Sequence, residues 1–168
     1  MHLSLRPAGT GDEVFLFQVY AGVRREEVAA WGWDPAQQNA FLRMQFALQQ
    51  RGYAAAYPEA GHWLIVCDHE PAGRLIVLRT EQEIRLVDIS LLTEFRRRGI
   101  GSTLIRELID EARTAGKPLR LQVMKSNPAA RLYERLGFSI TGDMGIYLQM
   151  EWKACLPDAV TSAKSELS

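Results

Sequence analysis

Arg96-Arg97-Arg98-Gly99-Ile100-Gly101 is the stretch whose residue types and spacing speak most directly of chemistry. Its glycines let the backbone turn sharply and let a ligand approach the main chain without a Cβ in the way. Apolar residues resume at Ile100, Leu104, Ile105, Leu108, Ile109 and Ala112, the spacing of one helix face. The loop therefore opens a helix, where unpaired N–H groups and the helix dipole favour an anion. That is the chemistry of a phosphate cradle. Just before it, Ile84 to Leu92 is an apolar run of strand character that contains Asp88. A carboxylate there is costly without a partner, so Asp88 is either bonded to its surroundings or kept for proton transfer.

Other glycine-loop phosphate binders fit poorly. A P-loop needs Gly-Lys-Ser/Thr, but Gly101 is followed by Ser102 and Thr103 with no lysine. A dinucleotide fingerprint needs a third glycine, and Leu104 stands at that position.

The background sharpens the contrast. Lys plus Arg (20) equals Asp plus Glu (20), so no global field points to nucleic acid or a membrane, and the basic loop is a local feature. Cys67 and Cys155 lie far apart in sequence, and His2, His62 and His69 lack ligand spacing; neither a disulfide framework nor a metal site is expected. With no signal-like start and no spanning apolar run, the expected setting is the reducing cytoplasm. At 168 residues the chain is expected to form one domain over 1–153, with a flexible polar tail over 154–168.

The elements that must position these residues follow in order. Leu3 and Leu5 mark a short strand before Pro7. Thr10 and Glu13 have capping-box spacing for a helix to about Ala30, and Asp34-Pro35 with Gln37 starts a second helix that Arg51-Gly52 closes. His62 to Cys67, Gly73 to Arg79 and Ile84 to Leu92 read as a three-stranded meander, with Tyr53 in the loop before it. After the glycine loop and its helix, Leu119 to Val123 is a fifth strand, parallel to the fourth by a right-handed crossover. Asn127-Pro128 starts a short helix to Leu136, and Phe138 to Thr141 and Ile146 to Trp152 form a last hairpin around Gly142 to Gly145.

Arg96-Arg97-Arg98-Gly99-Ile100-Gly101, placed after a fourth strand and opening a helix, resembles the Arg/Gln-x-x-Gly-x-Gly/Ala signature of the GCN5-related N-acetyltransferases, the GNAT superfamily. Asn127 through Phe138 (NPAARLYERLGF) is similar to that family's second signature, an Asn…Ala…Leu-Tyr-x-x-x-Gly-Phe segment after the fifth strand. The order of elements also matches, so the resemblance covers about Leu3 to Trp152. It implies an α/β (α+β) GNAT acyl-CoA N-acyltransferase fold: a mixed, mostly antiparallel sheet flanked by helices, with strands four and five splayed.

The resemblance also implies acetyl-CoA as donor and direct transfer to a primary amine of a small molecule or peptide. In GNATs the loop backbone holds the pyrophosphate, which here means the amides of Arg97, Arg98, Gly99, Gly101 and Ser102, with Arg96, Ile100 and Thr103 also among the implied cofactor-binding residues. The backbone of Leu91, Leu92 and Thr93 would meet the pantetheine arm, with an amide near Leu91 polarising the thioester carbonyl. Asn127 resembles a pantetheine contact, although as the residue before Pro128 it also suits an N-cap; it lies six residues before Tyr133, where many family members have seven. Tyr133 resembles the acid that protonates the departing thiolate. Asp88 and Glu83 are the candidate bases, with water as an alternative. Glu26, Glu27, Trp31, Trp33 and Tyr53 are the candidate acceptor contacts. The expected partners are acetyl-CoA and an amine, without nucleic acid or membrane; sheet edges in this fold also make a homodimer an expectation. The alternative is a GNAT-fold acyl-CoA-binding module without catalysis.

Overall fold

The computed structural model describes residues 1–154. Cys155 and nearly all of the expected tail lie outside the described residues. The chain divides into two compact units, Met1–Arg79 with Arg85–Leu104, and Thr80–Ile84 with the chain from Ile105 onward. Two of the three boundaries, Ile84/Arg85 and Leu104/Ile105, fall inside a strand and a helix, and the third follows the strand that ends at Arg79.

In the first unit, β1 (Leu3–Pro7) is followed by a 3-10 turn (Thr10–Asp12), α1 (Glu13–Ala29), α2 (Pro35–Ala56), β2 (Gly61–Cys67), β3 (Glu70–Arg79) and β4 (Ile84–Leu91), whose first residue belongs to the second unit. The strands lie in the order β1-β2-β3-β4, with β1 and β2, and β2 and β3, antiparallel. Asp68 (φ 50°) and His69 (φ 69°) both take left-handed geometry, the twist that joins antiparallel neighbours in a tight turn, so β3 starts at Glu70 and not at Gly73. Phe17, Tyr20, Ala21, Val28 and Leu42 form a buried cluster from α1 and α2, with Phe41 and Phe46 packed against it.

Local chemistry corrects three expectations here. Thr10 and Glu13 do not form a capping box. Asp12 instead accepts from the Gly9 amide at 2.8 Å and pairs with Arg6 at 2.9 Å, which holds a 3-10 turn ahead of α1. The second box is as expected: Asp34 accepts from the Gln37 amide at 2.8 Å, Gln37 from the Asp34 amide at 3.3 Å, and Pro35 occupies the first turn. Gly52 does not end α2. Interior glycine costs a helix only about 1 kcal/mol, and the run through Ala56 is rich in alanine. Tyr53 consequently belongs to the helix, and not to a loop.

The second unit contains β5 (Leu119–Met124), α4 (Ala129–Arg135), β6 (Ser139–Met144) and β7 (Tyr147–Trp152), with strand order β5-β7-β6, both pairings antiparallel. Gly142 lies within β6 opposite Gln149, so the final turn is tighter than expected and centres on Gly145 (φ 81°). At the start of β4, the Ile84 amide donates to Pro118 O at 3.0 Å.

The helix after the glycine loop is α3 (Ile100–Ala115). Ile100, Leu104, Ile105, Leu108, Ile109 and Ala112 are all buried, so the apolar face read from spacing is the buried face.

Candidate active site

The glycine loop is built by its backbone. Thr93–Phe95 forms a 3-10 turn directly after β4, with the Phe95 amide on Leu92 O (3.0 Å) and the Arg96 amide on Thr93 O (3.2 Å). Arg97 and Gly99 then take left-handed geometry (φ 62° and 79°). Successive turns of this kind point amides to a common side and form an anion-binding nest. The first bond of α3 runs from the Thr103 amide to Gly99 O at 3.0 Å, and the Thr103 hydroxyl caps the same carbonyl at 2.9 Å. Helix geometry thus leaves the amides of Ile100, Gly101 and Ser102 without intrahelical acceptors. A Cβ added at Gly99 or Gly101 would meet nothing within 4 Å, so the main chain at both is open to close approach. This cradle fits a pyrophosphate.

The arginines divide their tasks. Arg96 donates through Nε to Leu91 O at 3.1 Å. The Arg98 guanidinium lies over the Phe95 ring, 5.2 Å from its centroid. Arg97 is exposed. The Leu92 amide donates to Ala72 O at 2.8 Å, which pins the end of β4 to β3. Gly73 lets the two strands meet here, because a Cβ on it would run into the Ser90 carbonyl oxygen and Leu91.

Asp88 is gathered with two residues from other elements. Ser90 donates its hydroxyl to Asp88 Oδ1 at 2.9 Å, and the Tyr53 hydroxyl bonds the same carboxylate. Arg74 Nε on β3 stands 3.8 Å from Asp88 Oδ2. The Arg74 side chain is 3% exposed and donates to Gln50 Oε1 on α2 at 2.6 Å, and its guanidinium lies 5.4 Å from the Tyr53 ring centroid. Burial raises the Asp88 carboxyl above the usual carboxylate range, against the lowering effects of Arg74, Ser90 and Tyr53. Burial also raises the Tyr53 hydroxyl above the ordinary phenol value, and the Asp88 charge adds to this. Burial draws the Arg74 guanidinium below its usual value, with Asp88 opposing. The result is a carboxylate held between a buried cation and two hydroxyls.

Sequence reasoning singled out Asp88 and Tyr53 separately, but missed Arg74, Gln50 and Ser90. A signal existed: Arg74 interrupts an apolar strand next to the strand that Asp88 interrupts. Opposite charges in adjacent apolar strands point to a pair.

Glu83 precedes β4 and accepts from Arg120 at 3.3 Å; Arg120 also bonds Glu151 at 2.7 Å. Trp31 and Trp33 stack edge to face at 5.3 Å, each against Phe41 as well, and both are exposed (45% and 39%). Glu26 is exposed, and Glu27 pairs with Arg24 at 3.2 Å. In the second unit, Asn127 Oδ1 accepts from the Ala129 amide at 2.9 Å, so its side chain caps the start of α4. Tyr133 is buried at 6% exposure, with its ring 5.5 Å from Phe138. Among the described residues, no group of three or more His, Cys, Asp or Glu could hold a metal ion.

The family model described as Acetyltransferase (GNAT) family matches residues 23–138. A curated relative, the [ribosomal protein bS18]-alanine N-acetyltransferase of Salmonella typhimurium, is 40% identical over 77 residues, 45% of this chain and 52% of that protein. The match thus spans about half the relative's length. The paiA N-acetyltransferase of Thermoplasma acidophilum, solved in complex with coenzyme A, superposes with a TM-score of 0.65 at 19% identity, covering 92% of this chain and 100% of the other. The Corynebacterium glutamicum structure described as histone acetyltransferase HPA2 and related acetyltransferase gives a TM-score of 0.65 at 21% identity, covering 94% and 99%. These structural likenesses show the fold, the α/β GNAT fold that the two signatures implied. With the family model spanning most of its length, this chain belongs to the GNAT acetyltransferase family.

Proposed function

We propose that the protein is a cytoplasmic acetyl-CoA-dependent N-acetyltransferase that acts on a primary amine of a small molecule or peptide. The glycine loop supports this most directly: left-handed Arg97 and Gly99 lead into a helix whose first amides lack intrahelical acceptors, beside glycines with open space at their Cβ positions. Backbone donors suit a diphosphate ester better than flexible lysines would, because they are fixed before the ligand arrives. A relative named for acetylating an alanine of a ribosomal protein supports including peptide amines among the acceptors.

When bound, acetyl-CoA supplies a thioester whose acyl carbon forms a C–N bond with the amine as its C–S bond breaks. The amides of Arg97, Arg98, Gly99, Gly101 and Ser102 hold the pyrophosphate, and an amide near Leu91 polarises the thioester carbonyl. Asp88 takes one proton from the amine and Tyr133 gives one to the departing sulfur, so the proton count balances. Glu83 is the less suited base, because Arg120 already engages its carboxylate.

Isothermal titration calorimetry with acetyl-CoA, followed by thiol release across an amine panel, tests the reading. Binding together with release is expected. Absence of acetyl-CoA binding overturns the proposal, and tight binding without transfer to any amine replaces it with the non-catalytic module.

A further inference from the structure

Outside the glycine loop, the first unit's most unusual feature is a charged cluster placed where a chain normally packs apolar groups. Arg74 is buried, with 3% exposure, yet its Nε has no hydrogen-bond partner among the described residues, and Asp88 Oδ2 is 3.8 Å away. A pair built for stability would close that gap into a forked bond. Here the guanidinium is held back instead. Gln50 anchors its other end at 2.6 Å, the Tyr53 ring lies 5.4 Å beneath it, and Gly73, next in the strand, brings the β4 main chain close.

The charged and titratable groups that face Asp88 are Arg74 from β3 and Tyr53 from α2, with Ser90 and the Ile89 amide from its own strand. His62 on β2 and Tyr57 at the end of α2 act on this set through Arg74 and Tyr53 respectively. Ser90 engages Oδ1, and the guanidinium stands off Oδ2. The carboxylate is therefore oriented but not closed off by a salt bridge.

We infer that Tyr53 and Arg74 are positioning residues that orient Asp88 and keep it ready to accept a proton, Tyr53 by donating its hydroxyl to the carboxylate and Arg74 by standing beside it without forming a closed ion pair. This rests on the proposed acetyl transfer with Asp88 as base. The physical logic is a balance. Burial alone would keep the acid protonated and useless as a base, whereas a tight bidentate arginine would make it too weak to take a proton. A distant cation and two hydroxyl donors lie between these limits. When Asp88 receives the amine proton, the same cation favours its release.

The test compares Tyr53→Phe, Ser90→Ala, Arg74→Lys and Arg74→Met with the unaltered protein in two readouts. The first is the pH profile of kcat/KM with a single amine, so that the amine's own titration is common to all. The second is the carboxyl carbon NMR titration of Asp88, assigned by its loss in Asp88→Asn. Removing a donor to the charged form raises the acid's midpoint, so Tyr53→Phe is expected to move the acidic limb and the NMR midpoint upward together by about one pH unit, with activity recovered on the alkaline side. Ser90→Ala shifts both in the same direction, and Arg74→Lys, which keeps the charge, shifts them less than Arg74→Met. If the Arg74 variants do not fold, Tyr53→Phe decides alone. An unmoved Asp88 titration, or a rate loss equal at every pH, overturns the inference while leaving acetyl transfer standing. A shifted titration in a protein that acetylates no amine overturns the proposed function, and the inference with it.

Discussion

Arg96 donates its Nε–H to the carbonyl oxygen of Leu91 at 3.1 Å, so the first arginine of the glycine loop fastens that loop to the end of β4. Its Nε–H is thus engaged within the protein and aligns the loop that follows. Arg96→Ala is expected to weaken acetyl-CoA binding about fivefold by calorimetry, the worth of roughly one hydrogen bond. Arg96→Lys, with no fork to span the turn, should recover little of it.

Arg97 holds a left-handed conformation (φ 62°) that costs a residue with a Cβ about 1–2 kcal/mol. Arg97→Gly should therefore hold or slightly raise the urea midpoint. Arg97→Val should lower stability by roughly 2 kcal/mol, because a β-branched side chain tolerates that geometry worst.

The glycines of the first unit separate crowding from conformation. Gly73→Ala drives a methyl into the Ser90 carbonyl and Leu91, and an expected loss of about 1–3 kcal/mol in chemical denaturation checks it. Gly99→Ala meets no neighbour but must keep φ 79°, so it should cost about 1–2 kcal/mol and also weaken acetyl-CoA binding as the nest opens. Gly101→Ala has neither handicap and should gain up to about 1 kcal/mol from helix propensity.

Tyr133→Phe keeps the ring against Phe138 and removes only the hydroxyl. If Tyr133 is the acid, turnover falls about a hundredfold while the acetyl-CoA dissociation constant stays nearly constant. Unchanged turnover removes Tyr133 from that role.

Acid sensitivity should trace to the surface. Asp12 is held below the ordinary carboxylate value of 3.8, first by Arg6 and then by the Gly9 amide, and Asp143 is lowered by Lys125. A depressed carboxyl stabilises the fold above its unfolded value and loses that contribution as pH falls through the folded value. Asp88, raised by burial, has the opposite sign: its protonated form is favoured in the fold, so its contribution falls as pH rises through its range. Urea midpoints measured from about pH 5 down to pH 3 should decline, and Asp12→Asn should flatten part of that decline.

Much of this was legible in the sequence because it is local. Asp34-Pro35 with Gln37 caps α2 as read, since every participant lies within a few residues. The buried face of α3 is the face its spacing dictated. Thr10 and Glu13 misled because Arg6, across the turn, offered Asp12 a better partner. Gly52 misled because an interior glycine costs a helix little and the alanines after it favour continuation, which places Tyr53 on the helix beside Arg74 and Asp88. The Asp88 surroundings were the least legible, since Arg74, Gln50 and Tyr53 come from different elements and meet only in the fold. The chemistry of a lone residue is visible in sequence, whereas its partners are a property of topology.

Trp31 and Trp33 sit edge to face at 5.3 Å and are partly exposed (45% and 39%), while Trp63 is half-buried and Trp152 is buried. Indoles that close and mutually tilted couple their strong far-ultraviolet transitions, so the turn between α1 and α2 should leave its own exciton couplet in the far-ultraviolet circular dichroism. External quenchers would reach this pair before the two less exposed indoles, Trp63 and Trp152. The chain thus comes with a built-in optical reporter on the segment that carries the candidate acceptor contacts, readable without a label and without a known substrate.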